Sequence, residues 1–295
     1  MADITRVGVL GCGLMGSGIA QAAATAGFPT IVRDVEAGLL AKGEGAIQRS
    51  LEKLVEKGKI DGAARDGALG RLRFTTELDD LAGCDLVIEA VTEDLALKNE
   101  LWRALDRRSP GATIFASNTS SLAIGDMAAA TGRPDRLVGL HFFNPVPLMP
   151  LVEVVRAVGT SPATVEAALA FVRRLGKEPI TAPDRSGFVV NRLLVPYLLD
   201  AARAREAGLA STVDIDRGMQ LGCGHPMGPL TLLDFVGLDT TLRIAEIMFH
   251  EFGEARFAPP PLLRRMVTAG LHGRKSGRGF YDYTSDPPTP IDLGP

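Results

Sequence analysis

The sequence predicts an α/β protein: a Rossmann-type, doubly wound, mostly parallel sheet followed by a smaller all-helical C-terminal domain. Three observations carry that expectation. A Gly-x-Gly-x-x-Gly run, Gly11-Cys12-Gly13-Leu14-Met15-Gly16, stands between a short apolar run and a stretch of small residues. Strand-like apolar runs then alternate with helical periodicity as far as about residue 180, as successive βαβ units require. From Phe188 onward only helical periodicity remains.

Val7-Gly8-Val9-Leu10 reads as a buried strand stopped by glycine. A helix of small residues follows over about 15–26, closed by Gly27 as a C-terminal glycine. Thr30-Ile31-Val32-Arg33-Asp34 is the next strand, so the crossover between the two should be right-handed. A long polar helix is expected over about 36–57. Leu72-Arg73-Phe74 and Asp85-Leu86-Val87-Ile88-Glu89-Ala90-Val91 are strands, and 95–106 is helical. Thr113-Ile114-Phe115-Ala116 and Leu137-Val138-Gly139-Leu140-His141 are further strands. Leu151-Val152-Glu153-Val154-Val155 and Glu178-Pro179-Ile180 are later strands around a helix over 163–175. Pro183, Asp184, Ser186 and Gly187 then interrupt regular structure. A boundary within 181–187 divides the chain into a dinucleotide-binding domain, residues 1–183, and a helical domain, residues 184–295. Helices are expected there over about 188–207, 213–221, 230–251 and 261–269, with a loose proline-rich end from Ser285.

A chain of 295 residues has room for one large domain and a smaller one. Its net charge of -3 offers no overall attraction to nucleic acid or to an anionic membrane. Cys12, Cys84 and Cys223 form no CxxC pair, which argues against a zinc cage or a disulfide framework and for reduced thiols. The opening residues lead straight into an apolar run without the pattern of a leader, and no apolar stretch is long enough to span a membrane. A cytoplasmic protein without a metal is the expectation.

The glycine run is informative because of its surroundings: it follows a strand, opens a helix and is followed by an acidic residue at the end of the next strand. Gly11 permits the tight turn, Gly13 lets backbone approach a pyrophosphate, and Gly16 lets the helix sit close to the strands. Phosphates would meet unpaired amides at the helix N-terminus. Asp34 can accept from both adenine-ribose hydroxyls and would repel a 2'-phosphate, which favours NAD over NADP. Arg33 argues the other way, because a guanidinium could pair with such a phosphate. A glycine turn without a ligand, and a different adenine cofactor such as S-adenosylmethionine, are the competing readings of this run alone.

Of four histidines, His141 ends a strand, in His141-Phe142-Phe143-Asn144-Pro145-Val146-Pro147. Open α/β sheets bind ligands beyond the carboxyl ends of their strands. That position suits a histidine meeting a cofactor at the first glycine turn, and it suits equally a hydrogen-bonded histidine packed under a loop.

The run Ser117-Asn118-Thr119-Ser120-Ser121-Leu122, the His141–Pro147 run and Leu151–Val155 resemble the 3-hydroxyacyl-CoA dehydrogenase family. So do Gly187-Phe188-Val189-Val190-Asn191-Arg192-Leu193-Leu194, Pro226-Met227-Gly228-Pro229 and Gly273-Arg274-Lys275-Ser276-Gly277-Arg278-Gly279-Phe280-Tyr281. These motifs stand in family order along almost the whole chain, and the single-function bacterial branch acting on 3-hydroxybutyryl-CoA is the most similar. The resemblance implies NAD-dependent oxidation of an (S)-3-hydroxyacyl-CoA to a 3-ketoacyl-CoA, and the reverse. It implies His141 as general base and acid, since an imidazole titrates near neutrality, with Glu153 fixing its tautomer. Ser120 would bond the substrate oxygen and lie near the nicotinamide. Asn191 and Asn144 would surround substrate and cofactor, Asn191 from the second domain, so that closure excludes water. Glu93, Lys98 and Lys275 match cofactor contacts, and Asn118 falls in the cofactor loop. Ser50 and Lys57 match contacts to the CoA nucleotide, on a helix face shared by Arg49, Lys53 and Lys57. A homodimer through the C-terminal domain is implied as well.

Each of these residues has a plainer reading. Glu153 could be a strand-edge charge, and Ser120 or Ser121 the N-cap of a helix over 122–130. Lys98, Lys275 and the basic face of the long helix could be solvated charges, and Asn118 a turn asparagine. Competing functions are an NADP-preferring dehydrogenase, a dehydrogenase of free 3-hydroxy acids with a lysine base, and a crystallin-like structural protein or NAD sensor without turnover.

Overall fold

The computed structural model describes residues 4–293. Residues 1–3 of the opening read above as leader-free, and residues 294–295 of the tail, lie outside the described residues. Two compact units divide between Phe188 and Val189.

The first unit runs β1 (Val7–Leu10), α1 (Leu14–Thr25), β2 (Thr30–Arg33), α2 (Ala37–Glu56), α3 (Gly62–Gly70), β3 (Leu72–Thr75) and β4 (Leu86–Glu89). It continues with α4 (Leu95–Asp106), β5 (Ile114–Ser117), α5 (Ile124–Ala128), β6 (Leu137–Phe142), β7 (Leu151–Arg156), α6 (Pro162–Arg174) and β8 (Glu178–Pro183). The eight strands form one sheet in the order β3-β2-β1-β4-β5-β6-β7-β8. Every pairing is parallel except β6 with β7. Strand order reverses between β1 and β4, the switch point at which open sheets of this kind leave a crevice. β1 and β4 are buried along their whole length, as continuous apolar runs in a sheet covered on both faces must be.

Small side chains bring α1 against the sheet: Ala20, Ala23 and Ala24 are fully buried there. A Cβ on Gly16 would lie 1.9 Å from the Gly11 carbonyl oxygen, so the helix starts where only glycine fits. Leu40, Gly43, Ile47 and Leu51, spaced three and four apart, form the buried stripe of α2. A Cβ on Gly43 would lie 2.2 Å from Cys12 Sγ, which places that helix directly on the glycine turn. The nine-residue α3 was not expected from the sequence. Its run, GAARDGALG, has no apolar periodicity and buries only Ala68.

The second unit contains α7 (Val190–Glu206), α8 (Thr212–Cys223), α9 (Pro229–Val236), α10 (Leu238–Phe252) and α11 (Pro261–Thr268). Two expectations are corrected here. The helix read over 230–251 is two helices, broken at Gly237, whose φ of +102° only glycine adopts readily. The tail is not wholly helical or loose: β9 (Tyr281–Asp282) pairs antiparallel with β10 (Thr289–Pro290). The unit's core holds Leu198, Leu199, Leu230, Leu233, Leu238, Met248 and Phe280. Two buried aspartates tie its segments together. Asp216 accepts from the amides of Leu230 (2.8 Å) and Thr231 (3.0 Å) at the start of α9. Asp234 accepts from the amides of Phe280 (2.8 Å) and Tyr281 (3.0 Å) and from the Tyr283 hydroxyl (3.0 Å). A Cβ on Gly279 would fall 2.0 Å from Asp234 Oδ1.

Among the described residues no helix is long and apolar enough to cross a membrane, and no group of three or more His, Cys, Asp or Glu could hold a metal ion.

The contact at Gly16 yields a stability test. Gly16→Ala is expected to lower the free energy of urea unfolding by about 1–3 kcal/mol through overpacking. Gly62→Ala, whose Cβ meets nothing within 4 Å, should lose no stability. Equal midpoints for the two variants would show that α1 tolerates a shift from the turn.

Candidate active site

β1, β4, β5 and β6 are neighbours and parallel, so their carboxyl ends share one sheet edge. The glycine turn, Glu93, Asn118–Ser120 and the residues from His141 to Asn144 all stand at or just beyond those ends. Thus the sheet topology gathers the first unit's predicted site residues other than Ser50 and Lys57.

At the glycine turn, Gly11 has φ +101°, and a Cβ there would meet the Ala90 carbonyl oxygen at 2.7 Å. A Cβ on Gly13, in contrast, meets nothing within 4 Å. Gly13 is the N-cap of α1 and provides no side-chain cap, so the first-turn amides are left for another acceptor. Leu14 is exposed and Met15 half-buried beside it. Open space in front of unpaired amides at a helix N-terminus fits a pyrophosphate. Cys12 is different. Its amide is already taken by Asp34 Oδ2 at 2.6 Å, and its side chain points under α2. Burial pushes the Cys12 thiol up to about 11, so it rests protonated.

Asp34 Oδ1 accepts from the Val35 amide at 2.7 Å. The carboxylate is thereby pinned beside the turn, with further lone pairs for ribose hydroxyls. Arg33, the residue that argued for NADP, donates through Nε to the Thr76 carbonyl at 3.0 Å.

A buried charge network occupies the ends of β4 and β5. Glu89 is 0% exposed and accepts from Lys98 Nζ (2.6 Å), the Val91 amide (2.7 Å) and the Ser117 hydroxyl (2.6 Å). Lys98, 1% exposed, also pairs with Glu93 at 3.0 Å. It is therefore not a solvated charge. Glu93 accepts from the Thr119 hydroxyl and, at 2.9 Å, from the Ser120 amide. The Ser120 hydroxyl lies 3.5 Å from the same carboxylate oxygen. Burial raises the Glu93 carboxyl pKa, but Lys98 and these donors outweigh it, and the net value lies below the ordinary glutamate range. The sequence reading passed over Glu89, Ser117 and Thr119. An acid closing the apolar run Leu86-Val87-Ile88-Glu89 was the available signal, because a buried carboxylate demands partners.

His141 and Glu153 face each other across the antiparallel pair β6 and β7, with Nδ1 and Oε2 2.6 Å apart. Glu153 is 0% exposed and His141 6%. It is no strand-edge charge. With a carboxylate accepting at Nδ1, the neutral ring carries its proton there and presents the Nε2 lone pair. Asn118 Oδ1 accepts from the Phe142 amide at 2.9 Å, joining the loop after β5 to the end of β6. The loop beyond His141 packs on α1, where a Cβ on Gly18 would lie 2.8 Å from Val146 Cβ. Lys177, also missed, holds this loop by donating to the Val146 and Met149 carbonyls, each at 2.7 Å.

Neither Ser120 nor Ser121 caps the next helix. α5 starts after Ala123, and Asp184 accepts from the amides of Ile124 (2.8 Å) and Gly125 (2.7 Å). Thr119 Oγ1 instead accepts from the Leu122 amide at 2.9 Å. A carboxylate from elsewhere in the chain outcompetes the local hydroxyl and leaves Ser120 at the sheet edge.

Asn144 is exposed on the loop after His141. Ser50 is half-buried on α2, and Arg49, Lys53 and Lys57 are exposed along it. In the second unit, Asn191 is half-buried in the first turn of α7. Lys275 Nζ there pairs with Asp239 Oδ1 at 2.5 Å.

Residues 6–185 match the 3-hydroxyacyl-CoA dehydrogenase NAD binding domain, and residues 187–283 match that family's C-terminal domain. The chain belongs to the 3-hydroxyacyl-CoA dehydrogenase family. It is 53% identical over 287 residues to a 3-hydroxybutyryl-CoA dehydrogenase of Mycobacterium tuberculosis, covering 96% of this chain and 100% of that one. A mitochondrial hydroxyacyl-coenzyme A dehydrogenase of Sus scrofa is 46% identical over 288 residues, covering 95% and 91%. The crystal structure of (S)-3-hydroxybutyryl-CoA dehydrogenase from Ralstonia eutropha is 45% identical, with a TM-score of 0.93 and coverage of 96% and 100%. As a 3-hydroxyacyl-CoA dehydrogenase family member the chain is an oxidoreductase, and NAD is its cofactor. The fold expected from its sequence is the fold of this family.

Two outcomes follow from the site geometry. Gly13→Ala fills the open space before α1 without touching protein, so it should keep parental stability and weaken NADH binding roughly tenfold or more, as read by fluorescence titration. Unchanged affinity would move the pyrophosphate away from Gly13. Glu93 titrates below its ordinary value when folded. Its contribution is therefore present above that value and lost as pH falls through the lowered one. The stability gap between parent and Glu93→Gln should be widest near neutrality and shrink as pH drops below 4.5. A gap independent of pH would mean that the carboxylate charge is not what holds the Ser120 loop.

Proposed function

We propose that the chain oxidises (S)-3-hydroxybutyryl-CoA to the 3-ketoacyl-CoA and catalyses the reverse reaction, with His141 as the proton-transferring group. The buried His141–Glu153 pair, at 2.6 Å on the carboxyl edge of the sheet, carries this reading. Bound NAD supplies the hydride acceptor for carbon 3 of the substrate. As that carbon loses hydride, its hydroxyl proton passes to Nε2 of His141, and Glu153 stabilises the imidazolium. In the reverse direction the same nitrogen returns the proton to the ketone oxygen. Ser120 bonds that oxygen, its hydroxyl serving both alcohol and ketone because it donates and accepts. Asn191 completes the polar surroundings of the substrate.

The glycine run 11–16 and α1 hold the pyrophosphate, and Asp34 the adenine ribose. Glu93, Asn118 and Asn144 line the cofactor's path, with Lys98 acting through Glu93. Lys275 serves the cofactor only by sharing its ammonium with Asp239. Ser50 on α2 and Lys57 at its C-cap meet the CoA nucleotide, where positive charge complements its phosphates. Assembly as a homodimer through the second unit, in the cytoplasm, belongs to the same reading.

The test is to follow nicotinamide absorbance with acetoacetyl-CoA and longer 3-ketoacyl-CoA substrates, with NADH and NADPH in parallel. Turnover with preference for NADH is expected. Preference for NADPH would overturn the role given to Asp34, and NADH binding without any turnover would make the chain a sensor. His141→Gln should bind NADH as the parent does while kcat falls by about 10²–10⁴. Near-parental kcat would reject His141 as the base.

A further inference from the structure

We infer that Phe188 is a positioning residue for the proposed proton transfer: its ring locks the His141 imidazole in the orientation that presents Nε2. This inference rests on the reading of His141 just given.

One hydrogen bond at Nδ1 leaves an imidazole free to hinge about that contact. Two aromatic rings remove the freedom. The Phe143 ring centroid lies 4.6 Å from that of His141 at 56°, and the Phe188 centroid lies 5.5 Å away at 59°. Such tilted arrangements at these separations are favourable aromatic pairings. Phe143 is two residues from His141 and comes with it. Phe188 comes from the far end of the first unit, and its backbone is strained.

Among the described residues, Phe188 is the non-glycine residue with positive φ, at +44°. A side chain in the left-handed region is strained, and such conformations persist only where the surroundings over-determine them. Here they do. The Asp184 amide donates to the Arg156 carbonyl at the end of β7 (3.2 Å), and its carboxylate holds the first amides of α5. The Ser186 hydroxyl donates to the Ser121 carbonyl at 3.1 Å, and the Phe188 amide closes the turn on the Arg185 carbonyl at 2.9 Å. Gly187, one residue earlier, already has φ +78°. A second glycine would adopt the backbone of position 188 without cost. A phenylalanine held there against that strain, 3% exposed and facing the imidazole, is accounted for by what its ring does. The same turn grips the residue after Ser120 and the base's ring, so it keeps the two groups that meet the substrate oxygen in one frame.

The variants Phe188→Gly and Phe188→Tyr separate ring from backbone. Phe188→Gly relieves the strain and removes the ring. NADH affinity and KM should stay within about threefold of the parent while kcat falls about tenfold to a hundredfold, the loss expected of a misplaced reacting group. Phe188→Tyr keeps the ring and should restore kcat to within about threefold of the parent. Isotope-edited NMR of the His141 ring nitrogens should show one fixed tautomer in the parent and in Phe188→Tyr, and averaged or broadened signals in Phe188→Gly. Parental kcat with unchanged ring-nitrogen signals in Phe188→Gly overturns the inference. If that variant does not fold, Phe188→Leu decides: lost kcat with retained NADH binding supports the role, and parental kcat overturns it. Absence of acyl-CoA turnover in the parent would sink the proposed function, and the ring-nitrogen spectra would still report whether Phe188 orders His141.

Discussion

A carboxylate removed from water has to be met by donors or positive charge inside the protein, because the desolvation of an unpaired ion is too costly to retain. Glu89, Glu93 and Glu153 all stand under this constraint near the carboxyl edge of the sheet, and much of the local order follows from how it is met. Glu153 takes His141 as partner. Glu89 takes Lys98, Ser117 and a backbone amide, and Glu93 takes Lys98 and the segment Thr119–Ser120. Asn118 then joins the two networks, since its carboxamide oxygen holds the Phe142 amide next to His141. The imidazole and the Ser120 hydroxyl are thus set by one connected framework rather than by separate loops.

The glycines of the dinucleotide turn divide into two physical kinds. Gly11 and Gly16 are glycine because protein backbone occupies the place of their Cβ. Gly13 is glycine at a position where the protein itself leaves room. The first kind maintains the fold, and the second is open where we propose that the pyrophosphate lies. The motif reading gave these glycines different tasks, and the space around each α-carbon differs in the same way.

Reading the chain alone recovered the strand-helix alternation because buried parallel strands are short apolar runs with abrupt ends. Val7–Leu10 and Leu86–Glu89 are of that type. What escaped it lacked such a signal. α3 is too short and too poor in apolar side chains to show a period. The break at Gly237 was hidden because α9 and α10 continue one another's apolar spacing, and only the sign of φ separates them. For the site, motif resemblance pointed to His141 and Glu153, and the antiparallel register puts them in contact. Asp184, Lys177 and Phe188 were out of reach, since each acts on backbone or a ring many residues away. A sequence shows charge and size but not the amide that a carboxylate will cap.

The clasp between Asp234 and the residues after Gly279 alters how the end of the chain should be regarded. Phe280 lies wholly inside the core of the second unit, and the acid beneath it takes its donors from the final stretch. A polypeptide shortened before that phenylalanine would leave an acidic group enclosed with no proton donors and a hole where an aromatic ring had been. A larger residue at 279 is tolerated only if the Asp234 carboxylate gives way, because its Cβ would fall on Oδ1. What resembles a dispensable tail is the keystone that closes the helical unit.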